Sequence, residues 1–224
     1  MSRRPGPPQA PTEDWGVDFY YWWDAPSLYG AFWFPIPVAS LHVTAAGATD
    51  LDFGPLQYRD PLPDTWSRYY VARHIAGFAL PLGDGSSYSS QFVNNFTAST
   101  TGGVLAPLVG PVGDFAIGGT DAFQPHLGLT VAPRITWSPP SVGTANRYVV
   151  RVVDAASGFV ALCVVPAAAA LELTLRDDVL QPGHDYFLVV TALATTGNPE
   201  TAPFRTTFPL GSADAISAVV TRAP

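Results

Sequence analysis

The sequence predicts an all-β protein built from two β-sandwich-like domains. Short runs with strand-like alternation recur along the chain, and turn signals rich in glycine and proline separate them. The 23 prolines recur too often to leave room for long helices. Hydrophobic residues make up 47% of the 224 residues and charged residues only 13%, so the chain has enough apolar surface to bury a core.

We divide the chain into a flexible, proline-rich tail and two domains. The tail spans residues 1–14, MSRRPGPPQAPTED, and has no apolar periodicity. A β-rich domain of unknown family follows over 15–125, and a second domain spans 126–224. The boundary lies in TTGGVLAPLVGPVGDFAIGGTDAFQP, a segment typical of a connector or of a final pair of strands.

The strands of the first domain are predicted from four runs: VDFYYWWD, IPVASLHVTA, SRYYVARHIAGFAL and SYSSQFVNNFTAST. Asp64 and Thr65 precede the third run, and either fits a helix N-cap, so a helix is a second interpretation there. The tyrosine, valine and isoleucine residues of that run favour a strand.

Residues 127–223 show the alternation expected for the strands of a sandwich, here lettered A to G. The apolar positions that fit are Leu129 and Val131 in strand A, Ile135 and Trp137 in strand B, and Tyr148, Val150 and Val152 in strand C. LELTL fits strand E, and ADAISAVVTRA fits strand G.

A spaced motif connects strands E and F. Leu180, Pro182, Gly183 and Tyr186 reproduce a Leu-x-Pro-Gly-x-x-Tyr spacing. With these strands, the second half of the chain resembles a fibronectin type III domain, an immunoglobulin-like sandwich. The resemblance implies that the proline and glycine form the turn between the strands, and that the tyrosine hydroxyl bonds back to upstream backbone. Successive residues of 187–191 then point to opposite faces of strand F.

Composition excludes several kinds of chemistry. All 11 basic residues are arginine, so neither a Schiff-base lysine nor a phosphate-loop lysine exists. Cys163 is the only cysteine, and its apolar neighbours, FVALCVVP, predict a small buried residue rather than a nucleophile. The net charge is −7 and basic clusters are few, so we expect no nucleic-acid partner. No run reaches the roughly 18 apolar residues of a transmembrane segment.

No standard catalytic, metal or cofactor motif appears, and we predict a non-enzymatic protein without cofactors. Asp50 and Asp52 alternate like calcium ligands, but the remaining ligand positions are missing. Four histidines lie far apart in the sequence and are interpreted as surface or core residues: His42, His74, His126 and His184. A glycan-active enzyme would need two facing carboxylates, and the available residues are Asp18, Asp24, Asp60 and Asp64.

The most unusual segment is aromatic. From residue 15 to residue 34, every second residue on average is phenylalanine, tyrosine or tryptophan. One interpretation is core packing, including packing between domains or subunits. The other is a platform that stacks on a sugar or anchors a protein. In that case the predicted ligand-binding residues are Trp22, Trp23 and Trp33, with hydroxyl contacts from Tyr20 and Tyr21.

These observations predict a bacterial surface or secreted protein that works by binding or adhesion. The bacterial origin is inferred from the absence of lysine, because arginine codons are GC-rich and lysine codons are not. The aromatic N-terminal domain would contact a protein or glycan partner, and the C-terminal module would serve as a spacer or recognition domain. A second interpretation is a self-assembling structural subunit of an extracellular assembly. We expect an extracellular or cell-surface location, although no signal peptide is visible.

Overall fold

The computed structural model describes seven stretches of the chain: residues 12–22, 36–43, 67–82, 87–98, 107–164, 169–195 and 210–224. In the first four stretches the description covers the backbone and the side chains of Leu80 and Leu82. The described residues form β-strands in two sheets and contain no helix. The all-β prediction is therefore confirmed for this part of the chain.

The N-terminal half contributes four strands. Each overlaps one of the four predicted runs, and the third run is a strand rather than a helix, in line with its β-branched and aromatic residues. The first strand begins five residues before its run and includes Thr12–Asp14, which we had assigned to the flexible tail. The strands are β1 (Thr12–Trp22), β2 (Ile36–Val43), β3 (Ser67–Pro81) and β4 (Ser87–Ala98).

The C-terminal half contributes ten further strands, most of them shorter. Gly118 and Gly119 make the turn between the first two with φ of 60° and 83°, a conformation that residues with a Cβ rarely adopt. The strands are β5 (Gly113–Ile117), β6 (Thr120–Asp121), β7 (His126–Leu129), β8 (Arg134–Ser138), β9 (Arg147–Asp154), β10 (Val160–Val164), β11 (Glu172–Thr174), β12 (Asp185–Thr195), β13 (Leu210–Ile216) and β14 (Val220–Arg222).

The smaller sheet has the strand order β11–β8–β5–β6. The larger sheet has the order β10–β9–β12–β13–β4–β3–β1–β2, with β14 beside β12 and β7 beside β14. Among the described strands, each pairing is antiparallel except that of β7 with β14.

β13 joins the two halves of the chain in one sheet. On one side it pairs with β12 along its length. On the other side Gly211 and Ser212 pair with Phe96 and Asn95 of β4. The N-terminal strands therefore continue the larger sheet of the C-terminal sandwich. The division into domains at residue 125 stays a prediction.

The core of the sandwich lies between the smaller sheet and the β9–β12 part of the larger one. The predicted strands B and C are β8 and β9, and their inward positions are buried as predicted. Trp137 packs on Tyr148 across the two sheets, with ring centroids 5.5 Å apart. The larger core residues are Phe115, Ile117, Ile135, Trp137, Tyr148, Val150, Val152, Leu175, Leu180, Tyr186, Leu188 and Val190.

The first strand of the sandwich differs from our prediction. The strand beside β8 is β5, which brings Phe115 and Ile117 into the core, and not a strand around Leu129 and Val131. Leu129 ends β7, which pairs with β14 at the side of the larger sheet, and it packs against the core from there. Val131 lies in no strand and is 71% exposed. The assignment was wrong because LGLTV alternates like a core strand, and alternation does not identify the pairing partner.

The residues just before β5 also pack into this sandwich. Val109 is buried in the core and forms a β-bridge with Gly143, and the Gly110 amide donates to the Val142 carbonyl at 2.9 Å. Gly143 has φ of 66°, and a Cβ there would lie 1.8 Å from the carbonyl oxygen of Leu108. Only glycine permits this close approach of the two chain segments.

The outer face of the larger sheet carries a second apolar cluster. Phe187 and Val189 point away from the core that holds Leu188 and Val190, as predicted for strand F. Leu80, at the end of β3, covers this face and is only 2% exposed. We call the group the outer cluster; it consists of Leu80, Val153, Ala155, Phe187, Val189 and Ile216, with Leu82 at its margin.

Cys163 is exposed, so the prediction that it is buried is wrong. It lies in β10, the last strand of the larger sheet, where Leu162 packs against the core and its neighbours do not. An apolar run has the same appearance in a central strand and in an edge strand, and the second leaves alternate residues in solvent.

Candidate functional site

β1 carries three of the five residues predicted to contact a partner. Tyr20, Tyr21 and Trp22 are the last three residues of this strand, which runs between β2 and β3. Trp23 and Trp33 lie outside the described residues. The strand thus places part of the aromatic segment within the sheet, far along the strand order from the sandwich.

The register of β1 brings aromatic residues from two strands to the same level. Phe19 is opposite Tyr70 of β3, and Tyr20 is opposite Tyr69. On the other side, the register with β2 shifts between Phe19 and Tyr20, and such bulges are frequent next to functional sites. We call this part of the sheet, residues 19–22 of β1 with Tyr69 and Tyr70 of β3, the aromatic end.

Of the four carboxylates considered for an enzyme, only Asp18 lies among the described residues. Asp18 lies in β1, opposite Ser40 of β2 and Val71 of β3. The other three, Asp24, Asp60 and Asp64, lie outside the described residues, as do Asp50 and Asp52.

The Leu180–Tyr186 segment forms a tyrosine corner. The backbone amide of Gln181 donates a hydrogen bond to the hydroxyl of Tyr186, at 3.2 Å. Leu180 is buried beneath this turn, and Gly183 has φ of 80°, which a residue with a Cβ would rarely adopt. The predicted bond from the tyrosine to upstream backbone is present, and it holds the turn that follows Pro182.

A histidine, an aspartate and a serine meet beside this corner. The Nδ1 of His184 lies 2.8 Å from Oδ2 of Asp154, and the His184 ring stacks on Tyr186. The amide and hydroxyl of Ser157 both donate to Oδ1 of Asp154, each at 2.8 Å. A nucleophilic triad needs the histidine between the serine and the aspartate. Here the aspartate lies between the histidine and the serine. The group therefore connects the turn at Ser157 with the turn at His184 and does not activate the serine.

The charge state of Asp154 follows from these contacts. Partial burial on its own would raise the pKa of Asp154, but hydrogen bonds from His184 and Ser157 lower the pKa overall. The ionised carboxylate of Asp154 therefore accepts hydrogen bonds from two turns at neutral pH, which is a structural role.

A polar group adjoins the outer cluster. Arg151 of β9 donates to the Thr191 hydroxyl at 3.2 Å and lies 3.5 Å from the carboxylate of Asp214 in β13. Thr191 also donates to Asp214. Burial raises the pKa of Asp214, and the contacts with Thr191 and Arg151 oppose that rise without cancelling it. We did not predict this group, since its members are 40 and 63 residues away from Arg151 in sequence.

The opposite pKa shifts of Asp214 and Asp154 predict opposite responses to pH. For Asp214, whose folded pKa is raised, the stabilising contribution is present below the unfolded pKa and is lost as pH rises through the folded pKa. For Asp154, whose folded pKa is lowered, the contribution is present above the unfolded pKa and is lost as pH falls through the folded pKa.

We therefore expect Asp214→Asn to gain stability relative to the wild type as pH rises from acid towards neutral. Asp154→Asn is the matched control and should lose stability relative to the wild type over the same range. Each slope is limited to about 1.4 kcal/mol per pH unit for one carboxyl group. Urea unfolding of the three proteins at a series of pH values measures the slopes. Parallel curves for the two variants would contradict the assignment.

Two shallow, open grooves lie on the sandwich. One, of about 440 Å³, is bordered by Pro139, Pro140, Leu171 and the buried ring of Tyr148, whose pKa is raised by burial. The other lies beside the tyrosine corner and includes Asp178, whose carboxylate is paired with Arg176. Neither groove collects the groups that a general acid–base reaction requires.

The described residues contain no group of three or more histidine, cysteine, aspartate or glutamate residues close enough to hold a metal ion. Of the four histidines, His126 is buried with its Nε2 3.1 Å from the Asp121 carbonyl, and His184 is the partner of Asp154. His42 and His74 lie in β2 and β3. No helix of sufficient length and apolarity to cross a membrane occurs among the described residues.

The paired sheets and the tyrosine corner give the C-terminal half an immunoglobulin-like β-sandwich fold. No protein-family model and no curated protein matches the sequence. Among solved structures, the chain is similar to the crystal structure of the FN1–FN3 domains of chicken CNTN1, with 10% sequence identity and a TM-score of 0.29. The match covers 92% of this chain and 56% of that one, so the chain spans about half of the length of that structure.

Proposed function

We propose that this protein is a non-enzymatic binding or adhesion protein whose aromatic end contacts a protein or glycan partner. The observation that carries the proposal is the register of β1 with β3, which sets Phe19 opposite Tyr70 and Tyr20 opposite Tyr69. Aromatic residues supply large contact areas at little conformational cost, and they stack on sugar rings as well as on protein side chains.

The polar groups of the sandwich support a binding role over a catalytic one. The described groups that most resemble a reaction centre, around Asp154 and around Asp214, are engaged in contacts between strands and turns. In the proposal, the sandwich is the rigid spacer or recognition module, and the sheet that continues from it presents the aromatic end. An extracellular or bacterial cell-surface location fits this role and the lysine-free composition.

The proposal is best tested by substitutions rather than by removing the C-terminal half. Leu80 of β3 is buried against the sandwich, so a fragment that ends near residue 125 would uncover apolar surface and could lose binding through misfolding alone. Single substitutions on β1 avoid this problem, because thermal unfolding can verify that each variant is folded.

We expect the full chain to bind at least one member of a panel of immobilised glycans and extracellular proteins. Trp22→Ala and Tyr20→Ala should weaken that binding about tenfold or more, the effect of removing an aromatic anchor. Trp15→Ala is the matched control: it lies on the same strand, opposite His74 and away from the aromatic end, and should leave binding unchanged. No binding to the panel, or an equal loss in Trp15→Ala, would overturn the proposal.

A further inference from the structure

The β9–β10 hairpin is an exposed apolar part of the described chain. Phe159, at its turn, is 77% exposed, and Val160 is 49% exposed. Ala161 and Cys163, further along β10, are exposed as well. No charged residue lies between positions 155 and 164, although the whole chain has a net charge of −7. Residues 155–164 thus form an apolar, uncharged segment of an acidic protein.

β10 is also an edge strand of the larger sheet. Among the described strands its only neighbour is β9, so its other edge directs backbone N–H and C=O groups away from the sheet. Soluble proteins usually protect such an edge with charged side chains or proline, and Val160–Val164 contains neither. Its one irregularity is a register shift between Val160 and Leu162, which leaves Leu162–Val164 in regular pairing.

We propose that two copies of this chain associate through β10, which pairs with the β10 of the second copy. Backbone groups along an open edge bind an extended strand, and a second copy supplies one of matching length and apolarity. A two-fold axis perpendicular to the sheet makes the two strands antiparallel and buries the same surface on both copies.

The absence of charge on β10 and its turn is compatible with a second copy at this place. Two acidic chains repel one another, but residues 155–164 carry no charge, so two copies approach there without setting like charges side by side. With an axis near the middle of β10, Phe159 of each copy lies beside the last residues of the other copy's β10. This gives the pair apolar contacts in addition to the backbone ladder.

Sedimentation velocity of the full chain over about a hundredfold range of concentration tests the proposal, because a reversible dimer follows mass action. The expected result is a concentration-dependent rise from a monomer of 23.8 kDa to a species of twice that mass. Cys163→Arg places two like charges near the axis and should raise the dissociation constant about tenfold or more. Ala161→Arg, at a second exposed position, should act in the same direction.

Val131→Arg is the control, since Val131 is exposed at 71% in a different part of the sandwich and should not affect dimer formation. Circular dichroism verifies that each variant is folded. A wild-type chain that stays monomeric at every concentration overturns the proposal. So does a dimer that both β10 variants leave intact, because that dimer would use another surface.

Discussion

Replacing Phe115 by alanine should lower the free energy of unfolding by about 3–5 kcal/mol, the cost of removing a large aromatic side chain from a packed core. Phe115 lies in β5 and is buried between the two sheets of the sandwich, where it packs edge-to-face on Phe123. A loss of this size is a large share of the stability of a typical domain. Urea unfolding followed by tryptophan fluorescence measures it.

Phe159→Ala is the matched control, because it removes the same side chain from an exposed position. We expect it to change stability by no more than about 0.5 kcal/mol at concentrations where the chain is monomeric. A fragment that starts at residue 126 should fail to fold, since it lacks Val109, Val112, Phe115 and Ile117 of the core. A folded 126–224 fragment, or equal effects of the two phenylalanine substitutions, would contradict the assignment of β5 to the sandwich.

Replacing Leu80 by alanine should cost about 2–4 kcal/mol and loosen the contact between β3 and the sandwich. Leu80 is buried against Phe187 and Val189, on the face of β12 opposite to the core. Removing its side chain leaves a cavity that the packed neighbouring side chains cannot easily fill. Amide hydrogen exchange should then accelerate at Phe187 and Val189.

Leu82→Ala is the control for this second substitution. Leu82 is partly buried at the margin of the outer cluster, two residues further along the chain. We expect it to cost less than Leu80→Ala, about 1 kcal/mol, because Leu82 is only partly buried and its truncation removes less buried apolar surface. If Leu82→Ala were as destabilising as Leu80→Ala, the outer cluster would not be centred on Leu80.

The parts of the fold that the sequence predicted depend on local signals. The spacing from Leu180 to Tyr186 specifies a turn and a hydrogen bond within a few residues, and both are present. The alternation of β8 and β9 identified Trp137 and Tyr148 as core residues. Such features are predictable because the residues that determine them are neighbours in sequence.

The parts that the sequence did not predict depend on which strands become neighbours. β5 has five residues within a segment rich in glycine and proline, so its two core residues, Phe115 and Ile117, gave a weak signal. The burial of Leu80 requires the end of β3 to meet β9 and β12, which no local pattern specifies. The prediction that Cys163 is buried was wrong for the same reason, since only the sheet order shows that β10 is an edge strand.

For the candidate site, the sequence identified the aromatic segment and the structure adds the register. That Tyr20 stands opposite Tyr69 is a long-range pairing, and neither run alone contains it. The contact between Asp154 and His184 joins residues 30 positions apart, and the sequence did not predict it either. Composition alone was sufficient to exclude lysine chemistry and an intrachain disulfide.

The measurement that tests the proposed function most directly is iodide quenching of Trp22. In a variant where the other five of the six tryptophans are phenylalanine, Trp22 is the only indole fluorophore. The proposal predicts strong quenching at concentrations where the chain is monomeric, because a side chain that contacts a partner is exposed before the partner binds. Weak quenching in the monomer would contradict the proposal and assign the aromatic end to a core.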